Sequence, residues 1–313
     1  QFLLDLGIAR PPAAAAPTGR VVLPEPGERV AIAGGSREHY RMPPRLSFSQ
    51  LRSYDLCPWQ YRFKYLLQIP VRGKGTLSFG NSIHLTLQRF FALVMQRQAA
   101  KQGGLFDGLE ESAAATGGRK TLGELATAEE LLKLYDEAWV DEWYDSPQDR
   151  EEHHRRGREA LVGYFERLLG AVVRPKHLEV GLQLKLADDE RGQTYAVSCK
   201  IDRVDQNDDG SYSIIDYKTG AAKDALSSDD KQQLLIYQLA ARSAFSAPVR
   251  DLTFEYLESG TRQTFLGSDQ DLATLQRKVL AAIREIERGE FVATPGPVCK
   301  FCDYRDICEF RQF

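Results

Sequence analysis

Apolar positions along the chain fall into two rhythms. Residues 80–101, with Leu87, Phe90, Phe91 and Val94, carry the three- and four-residue spacing of a helix that buries one face, and 124–144 and 154–170 repeat it on either side of Pro147. Ser47 with Gln50 makes a capping box, and Leu46 with Leu51 falls at hydrophobic-staple positions, so a further helix is predicted to begin at Ser47. Pro58 has no N–H to donate and should stop or bend that helix just after Cys57. Near Leu178 the spacing changes: 179–186, 194–205, 212–218 and 252–257 are short alternating or β-branched runs, predicted as strands. Helical spacing returns at 229–245 and 268–288, the latter opened by Ser268 with Asp271. The Pro/Ala/Gly-rich stretch 10–45 follows neither rhythm and reads as a linker or a loosely packed arm. No internal repeat is present.

Composition narrows the class. The 313 residues are 42% hydrophobic, with 15 Phe, 13 Tyr and 3 Trp, enough to fill a substantial core and unlike a disordered or collagen-like chain. No run approaches the ~20 apolar residues that a bilayer-spanning helix needs, and no charged-then-apolar leader opens the sequence. The expectation is a soluble, cytoplasmic protein with no membrane partner. A net charge of −3 argues against a simple polycationic nucleic-acid binder. Locally the balance differs: 52–101 holds eight basic residues and one acid, whereas 102–152 holds four basic and fourteen acidic ones. This asymmetry fits a basic binding surface offset by an acidic helical insert, and equally two solvated helix faces of opposite sign. Five cysteines leave one unpaired in any all-disulfide scheme. Cys299, Cys302 and Cys308 crowd the end as C-x2-C-x5-C, Cys57 lies far upstream, and Cys199 sits in a strand-like run, where it reads as a small buried apolar residue.

The candidate chemistry centres on a hairpin. Two strand-like runs, 198–205 and 211–220, flank Asn207-Asp208-Asp209-Gly210, a strong turn signal. With a loop of three residues Ser211 faces Asn207, which puts Asp216 opposite Asp202 with Cβ atoms ~5 Å apart. Lys218 then shares the face of Asp216. Two carboxylates at that spacing repel unless a positive charge sits between them, and hard divalent cations prefer carboxylate oxygen. A lysine beside them can orient a metal-bound water or steady charge on a phosphate. An ordinary surface Asp/Lys pattern remains open from these residues alone. His84 on a basic helical stretch adds a candidate ligand, Gln233 and Tyr237 share a helix face four residues apart, and Glu179 at a strand start could supply a further carboxylate.

The sequence Gly80-x-x-x-His84, Ile201-Asp202-Arg203-Val204-Asp205, Asp216-Tyr217-Lys218-Thr219-Gly220 and Gln233-x-x-x-Tyr237, in that order, resembles the RecB-like nuclease branch of the PD-(D/E)XK superfamily. Cys199 stands where the family usually carries Gly. The resemblance implies an α/β, restriction-endonuclease-like core, a mixed central β-sheet flanked by helices, with a helical insert and a C-terminal iron–sulfur staple. It implies a Mg²⁺- or Mn²⁺-dependent deoxyribonuclease acting on single-stranded DNA or DNA ends, exo- or endonucleolytic, in repair and recombination. By the same resemblance His84, Asp202, Asp216 and the backbone carbonyl of Tyr217 bind metal, Lys218 positions the attacking water, and Gln233 and Tyr237 hold the lysine or the DNA backbone.

One subgroup, the AddB-like helicase-nuclease subunits and CRISPR adaptation nucleases, uses one upstream and three downstream cysteines for a 4Fe-4S cluster, which implies Cys57, Cys299, Cys302 and Cys308 as ligands here. A four-thiolate zinc site is the competing reading. Arg52, Arg62, Lys64 and Arg89, interleaved with Tyr54, Trp59, Tyr61 and Phe63, suit a single-strand channel, although most of these aromatics fit a core as well.

Gln1-Phe2-Leu3-Leu4-Asp5-Leu6 resembles the end of the last motif of UvrD-like superfamily 1 helicases. With no initiating Met, the chain is expected to be processed or part of a longer prokaryotic protein. The expected organisation is 1–45 as linker and end of a preceding helicase domain, then 46–313 as the nuclease domain, with an acidic helical insert at 102–152 and a cluster segment at 289–313. The helicase module is the expected partner besides DNA. The alternatives are a stand-alone CRISPR adaptation-type nuclease and a catalytically dead iron–sulfur scaffold that binds DNA.

Overall fold

The alternating runs of the second half build one mixed sheet, and the amphipathic helices cover its two faces. In the computed structural model, which describes residue 43 and residues 45–100 and 120–312, the six strands are β1 (Leu46–Ser47), β2 (Pro175–Asp188), β3 (Gln193–Gln206), β4 (Tyr212–Lys218), β5 (Val249–Tyr256) and β6 (Arg262–Phe265). β3 is the spine. It pairs antiparallel with β2 on one side, and on the other with β1 in parallel and β4 antiparallel. β5 joins β4 in parallel and β6 closes the far edge antiparallel. β1 and β6, at two and four residues, are too short to show a period of two and escape the sequence pattern.

The β3–β4 turn explains the register. The Asn207 N–H donates to the Ser211 carbonyl at 2.8 Å, Gly210 takes the left-handed φ of 84° that the turn requires, and the Asp209 carboxylate accepts from the Ser211 N–H at 2.9 Å. Arg203 therefore lies opposite Ile215, and the same register carried one pair further sets Asp202 against Asp216.

Eight α-helices are described: α1 (Phe48–Leu56), α2 (Pro58–Tyr61), α3 (Gly75–Ala100), α4 (Leu122–Leu125), α5 (Ala128–Ala138), α6 (Pro147–Leu168), α7 (Ser228–Ala244) and α8 (Asp269–Glu287). Ser47 caps α1 through the capping box with Gln50, and Ser268 with Asp271 does the same for α8. Two expectations change. Residues 124–144 form a shorter helix ending at Ala138, because Trp139 turns extended and stacks on Tyr144 at 5.3 Å. Pro147 begins α6 rather than breaking it, since the first helical position has no use for an N–H and Ser146 caps the end.

One core lies under α7, α8 and α1 against Leu182, Leu184, Ile201, Ile214 and Phe254. The other lies under α3, α5 and α6 against Ile215 and Tyr217. The described part of the expected acidic insert, 120–152, is no appendage: Leu122, Leu131 and Tyr135 are fully buried against α3. Its acids meet arginines of neighbouring helices, Glu130 with Arg97 at 2.5 Å and Asp136 with Arg158 at 2.7 Å. A third cluster joins Tyr54 and Tyr61 to Ile286 and Phe291, so the two ends of the described domain pack together.

The close fit of α6 on α5 depends on Gly157. A Cβ there would lie 2.1 Å from the hydroxyl of the buried Tyr135 and 3.0 Å from Phe79. Gly157→Ala is expected to destabilise the domain by about 1–3 kcal/mol through overpacking, read as a lowered midpoint in thermal unfolding followed by circular dichroism.

Candidate active site

The site forms where β2 and β3 turn over. Strict alternation would keep Leu178 and Val180 on one face, yet Leu178 packs into the α3/α6 core and Val180 into the α7/α8 core. On β3, Ile201 and Arg203 part in the same way, Ile201 into the first core and Arg203 over the Phe91 ring of the second. Between them lie Glu179 and Asp202. Glu179 has φ 50°, a left-handed conformation uncommon for a residue with a side chain, and it carries the crossover.

On the α3 side, His84 Nδ1 lies 3.3 Å from Asp202 Oδ1 and 3.8 Å from Glu179 Oε1. The other Asp202 oxygen accepts from the Tyr217 backbone N–H at 2.8 Å, which fixes the carboxylate. Burial by itself would hold the imidazole neutral, but the Asp202 and Glu179 carboxylates outweigh it and raise the His84 pKa to about 10. Burial pushes the Glu179 carboxyl up, and bonds from His84 and from Lys200, at 2.5 Å, overcome this and bring it below the usual range. One donor atom from each of His84, Glu179 and Asp202 falls within 4.8 Å of the others. An imidazole nitrogen and two carboxylates in that compass fit a hard divalent cation.

On the α7 side, Lys218 Nζ meets Asp216 Oδ2 at 2.7 Å and donates to Gln233 Oε1 at 3.2 Å, with the Phe254 ring 4.0 Å beneath it. Gln233 Nε2 and the Tyr237 hydroxyl each donate to Asp216 Oδ1 at 3.0 Å. The four-residue spacing on α7 makes this double contact possible. Burial and then the nearby Asp202 charge raise the Asp216 carboxyl, against Lys218 and Tyr237, which pull it down.

Beneath both sides lies Arg203, 3% exposed. It donates to the Tyr164 and Tyr217 hydroxyls at 2.8 and 3.0 Å and to Asp205 at 3.0 Å, and packs 4.2 Å from the Phe91 ring centre. Tyr217 thus links this buried arginine to His84, whose ring lies edge-on to it at 6.1 Å.

His84, Asp202, Asp216, Lys218, Gln233 and Tyr237 come together from four elements. Glu179, which the sequence offered only as a lone acid at a strand edge, stands beside them, and only the β2–β3 register could have placed it. The expected channel residues are distributed otherwise. Arg52 approaches Asp229 at 3.6 Å, Arg62 packs 4.5 Å from the Trp59 ring centre, Lys64 stands 5.5 Å from that of Tyr65, and Arg89 is exposed on α3. Tyr54, Trp59 and Tyr61 are buried and belong to the core, so they offer no free face to a base.

Cys57, Cys299, Cys302 and Cys308 line one pocket with Trp59, Phe63 and Tyr304, and none forms a disulfide. Burial raises the Cys302 and Cys308 thiols, and each of these two also feels the other cysteines of the pocket. Cys199 stands apart in the first core, its thiol pushed up to about 12 by burial.

The sequence profile of the PD-(D/E)XK nuclease superfamily matches residues 45–309. Among solved structures, the crystal structure of SSO0001 resembles the chain at 14% identity with a TM-score of 0.39, covering 88% of this chain and 90% of that one. No curated protein matches the chain.

Glu179→Gln removes one anionic donor from the His84 side and leaves the Asp216–Lys218–Gln233 contacts untouched. It is expected to weaken Mn²⁺ binding by about tenfold or more, measured as free Mn²⁺ by electron paramagnetic resonance.

Proposed function

The chain belongs to the PD-(D/E)XK nuclease superfamily, whose members are metal-dependent nucleases, and from that footing we propose that it hydrolyses DNA phosphodiesters, on single strands or at ends. The observation that carries this reading is the two-sided site: a His84–Glu179–Asp202 donor set on one side and a lysine pinned between Asp216 and Gln233 on the other. In it His84, Glu179, Asp202, Asp216 and the Tyr217 carbonyl would hold Mg²⁺ or Mn²⁺, which when bound supplies a Lewis acid for the phosphate and a more acidic water. The remaining work falls to side chains. Lys218 cannot swing away, because Asp216, Gln233 and the Phe254 ring confine it, so its ammonium orients the attacking water and offsets charge gathering on the phosphate oxygens. Gln233 accepts from Lys218 and donates to Asp216, which fixes the lysine relative to the carboxylate. Tyr237 donates to Asp216 and holds that carboxylate in place. A dead scaffold would have no use for this confinement.

In the same reading Cys57, Cys299, Cys302 and Cys308 hold a 4Fe-4S cluster. Their common pocket supports four-thiolate ligation. Ligation would close the chain around the nuclease core. The placement in a helicase-nuclease of repair and recombination rests on residues 1–6 and 10–45, of which all but 43 and 45 lie outside the described residues.

Asp216→Ala and Lys218→Ala are each expected to lower cleavage of labelled single-stranded DNA with Mg²⁺ or Mn²⁺ by about 100-fold or more, without a lower melting temperature. Cleavage that survives Asp216→Ala overturns the assignment of the site. Anaerobically purified protein should be brown, with visible absorption that bleaches on reduction and is lost in Cys302→Ser. A colourless protein with one zinc per chain would overturn the cluster.

A further inference from the structure

Lys218 is confined, but the site has a second lysine that is not. Lys200 sits two residues before Asp202 on β3 and reaches the site through Glu179. Its side chain is 64% exposed, and its ammonium meets Glu179 Oε2 at 2.5 Å. The residue across the β2–β3 ladder is Gly181, and a Cβ there would meet nothing within 4 Å, so no side chain covers Lys200 from the neighbouring strand. The result is an open notch on the rim of the carboxylate site with one exposed cation beside it.

Charge makes the same point. With His84 neutral, as a histidine that ligates a cation must be, Glu179, Asp202 and Asp216 carry three negative charges and Lys200 and Lys218 two positive ones, leaving minus one before the cation is counted. One divalent cation on the carboxylates turns that to plus one, the complement of a single phosphodiester. Without Lys200 the loaded site would be neutral and would have no surplus charge for its substrate. Lys218 is committed to Asp216 and the water, so the surplus resides on Lys200.

Resting on the nuclease reading above, we propose that Lys200, reaching over the Gly181 notch, binds the backbone phosphate next to the one being cut. Along the strand Lys200 lies about 6.6 Å from Asp202, two residues at ~3.3 Å each, which separates its target from the scissile phosphate. A cation held by the carboxylates would weaken the pull of Glu179 on the ammonium, and Lys200 would then exchange one anionic partner for another. It is a substrate-binding residue, distinct from the water-positioning Lys218.

The test compares wild type, Lys200→Ala, Lys200→Arg and Gly181→Leu on a fluorescent single-stranded oligonucleotide at saturating Mn²⁺ and several KCl concentrations. Mn²⁺ affinity is measured separately by electron paramagnetic resonance. Lys200→Ala should raise KM about tenfold, with the loss in kcat/KM carried chiefly by KM. The salt dependence of log KM should become shallower by about 0.7, the contribution of one phosphate contact on a single strand. Lys200→Arg should recover most of the loss, and Gly181→Leu, which fills the notch, should raise KM with the charge intact. An unchanged KM and salt slope in Lys200→Ala, or a loss explained wholly by weaker Mn²⁺ binding, overturns the proposal while the nuclease reading stands. A wild-type protein that neither binds nor cuts DNA removes both.

Discussion

Three carboxylates, Glu179, Asp202 and Asp216, are held close together in places largely shielded from water, and much of the fold serves to make that tolerable. Two of them are on strands that turn over at that point, and the third is on the next strand across. Each has a committed partner: His84 and the Tyr217 N–H for Asp202, Lys200 for Glu179, and Lys218, Gln233 and Tyr237 for Asp216. Like charges at this range raise each other's proton affinity, as at Asp216, and only cations or strong donors reverse it. The left-handed Glu179 is the local backbone cost of bringing the acids to one place.

The buried Arg203 shows how the cores serve this cluster. A guanidinium removed from water is costly unless it is paired and fully bonded. Here Asp205, two tyrosine hydroxyls and the Phe91 face surround it. That constraint fixes Tyr217, whose backbone N–H in turn fixes Asp202. The rigid parts therefore lie behind the chemistry, and the exposed charge, Lys200, lies in front of it.

Much of this was legible in the sequence, and the exceptions have physical reasons. The Asp208–Gly210 turn set the β3–β4 register, and with it the opposition of Asp202 and Asp216, because a short loop leaves little freedom. The i, i+4 pair Gln233 and Tyr237 reads directly off helix geometry, and capping boxes marked the starts of α1 and α8. The crossover at Glu179 was hidden, since alternation assumes a strand that keeps its faces. The packing of 120–152 was not legible for a related reason: acidic composition says that a surface is charged and is silent on what its other face, with Leu122, Leu131 and Tyr135, packs against. Residues 52–64 were open to a channel reading and a core reading, and Tyr54 and Tyr61 follow the core one, turned inward to join the chain ends. Nothing in the structure requires glycine at position 80, where a Cβ would make only an ordinary 3.7 Å contact with Thr219.

The cysteine segment and the His84–Asp202 side of the site are joined through one element. Lys74, just before α3, meets Asp303 at 2.6 Å, and the Tyr304 hydroxyl donates to the Ile69 carbonyl at 3.3 Å. The loop that leads into α3 is thus tied to the chain between Cys302 and Cys308. Nine residues into α3, about 14 Å along its axis, stands His84. A helix whose inner face is buried along its length transmits a displacement of its start rather than absorbing it. The chain between Cys302 and Cys308 therefore also bears on where His84 stands relative to Asp202. A segment far from the carboxylates in sequence becomes part of what aligns them.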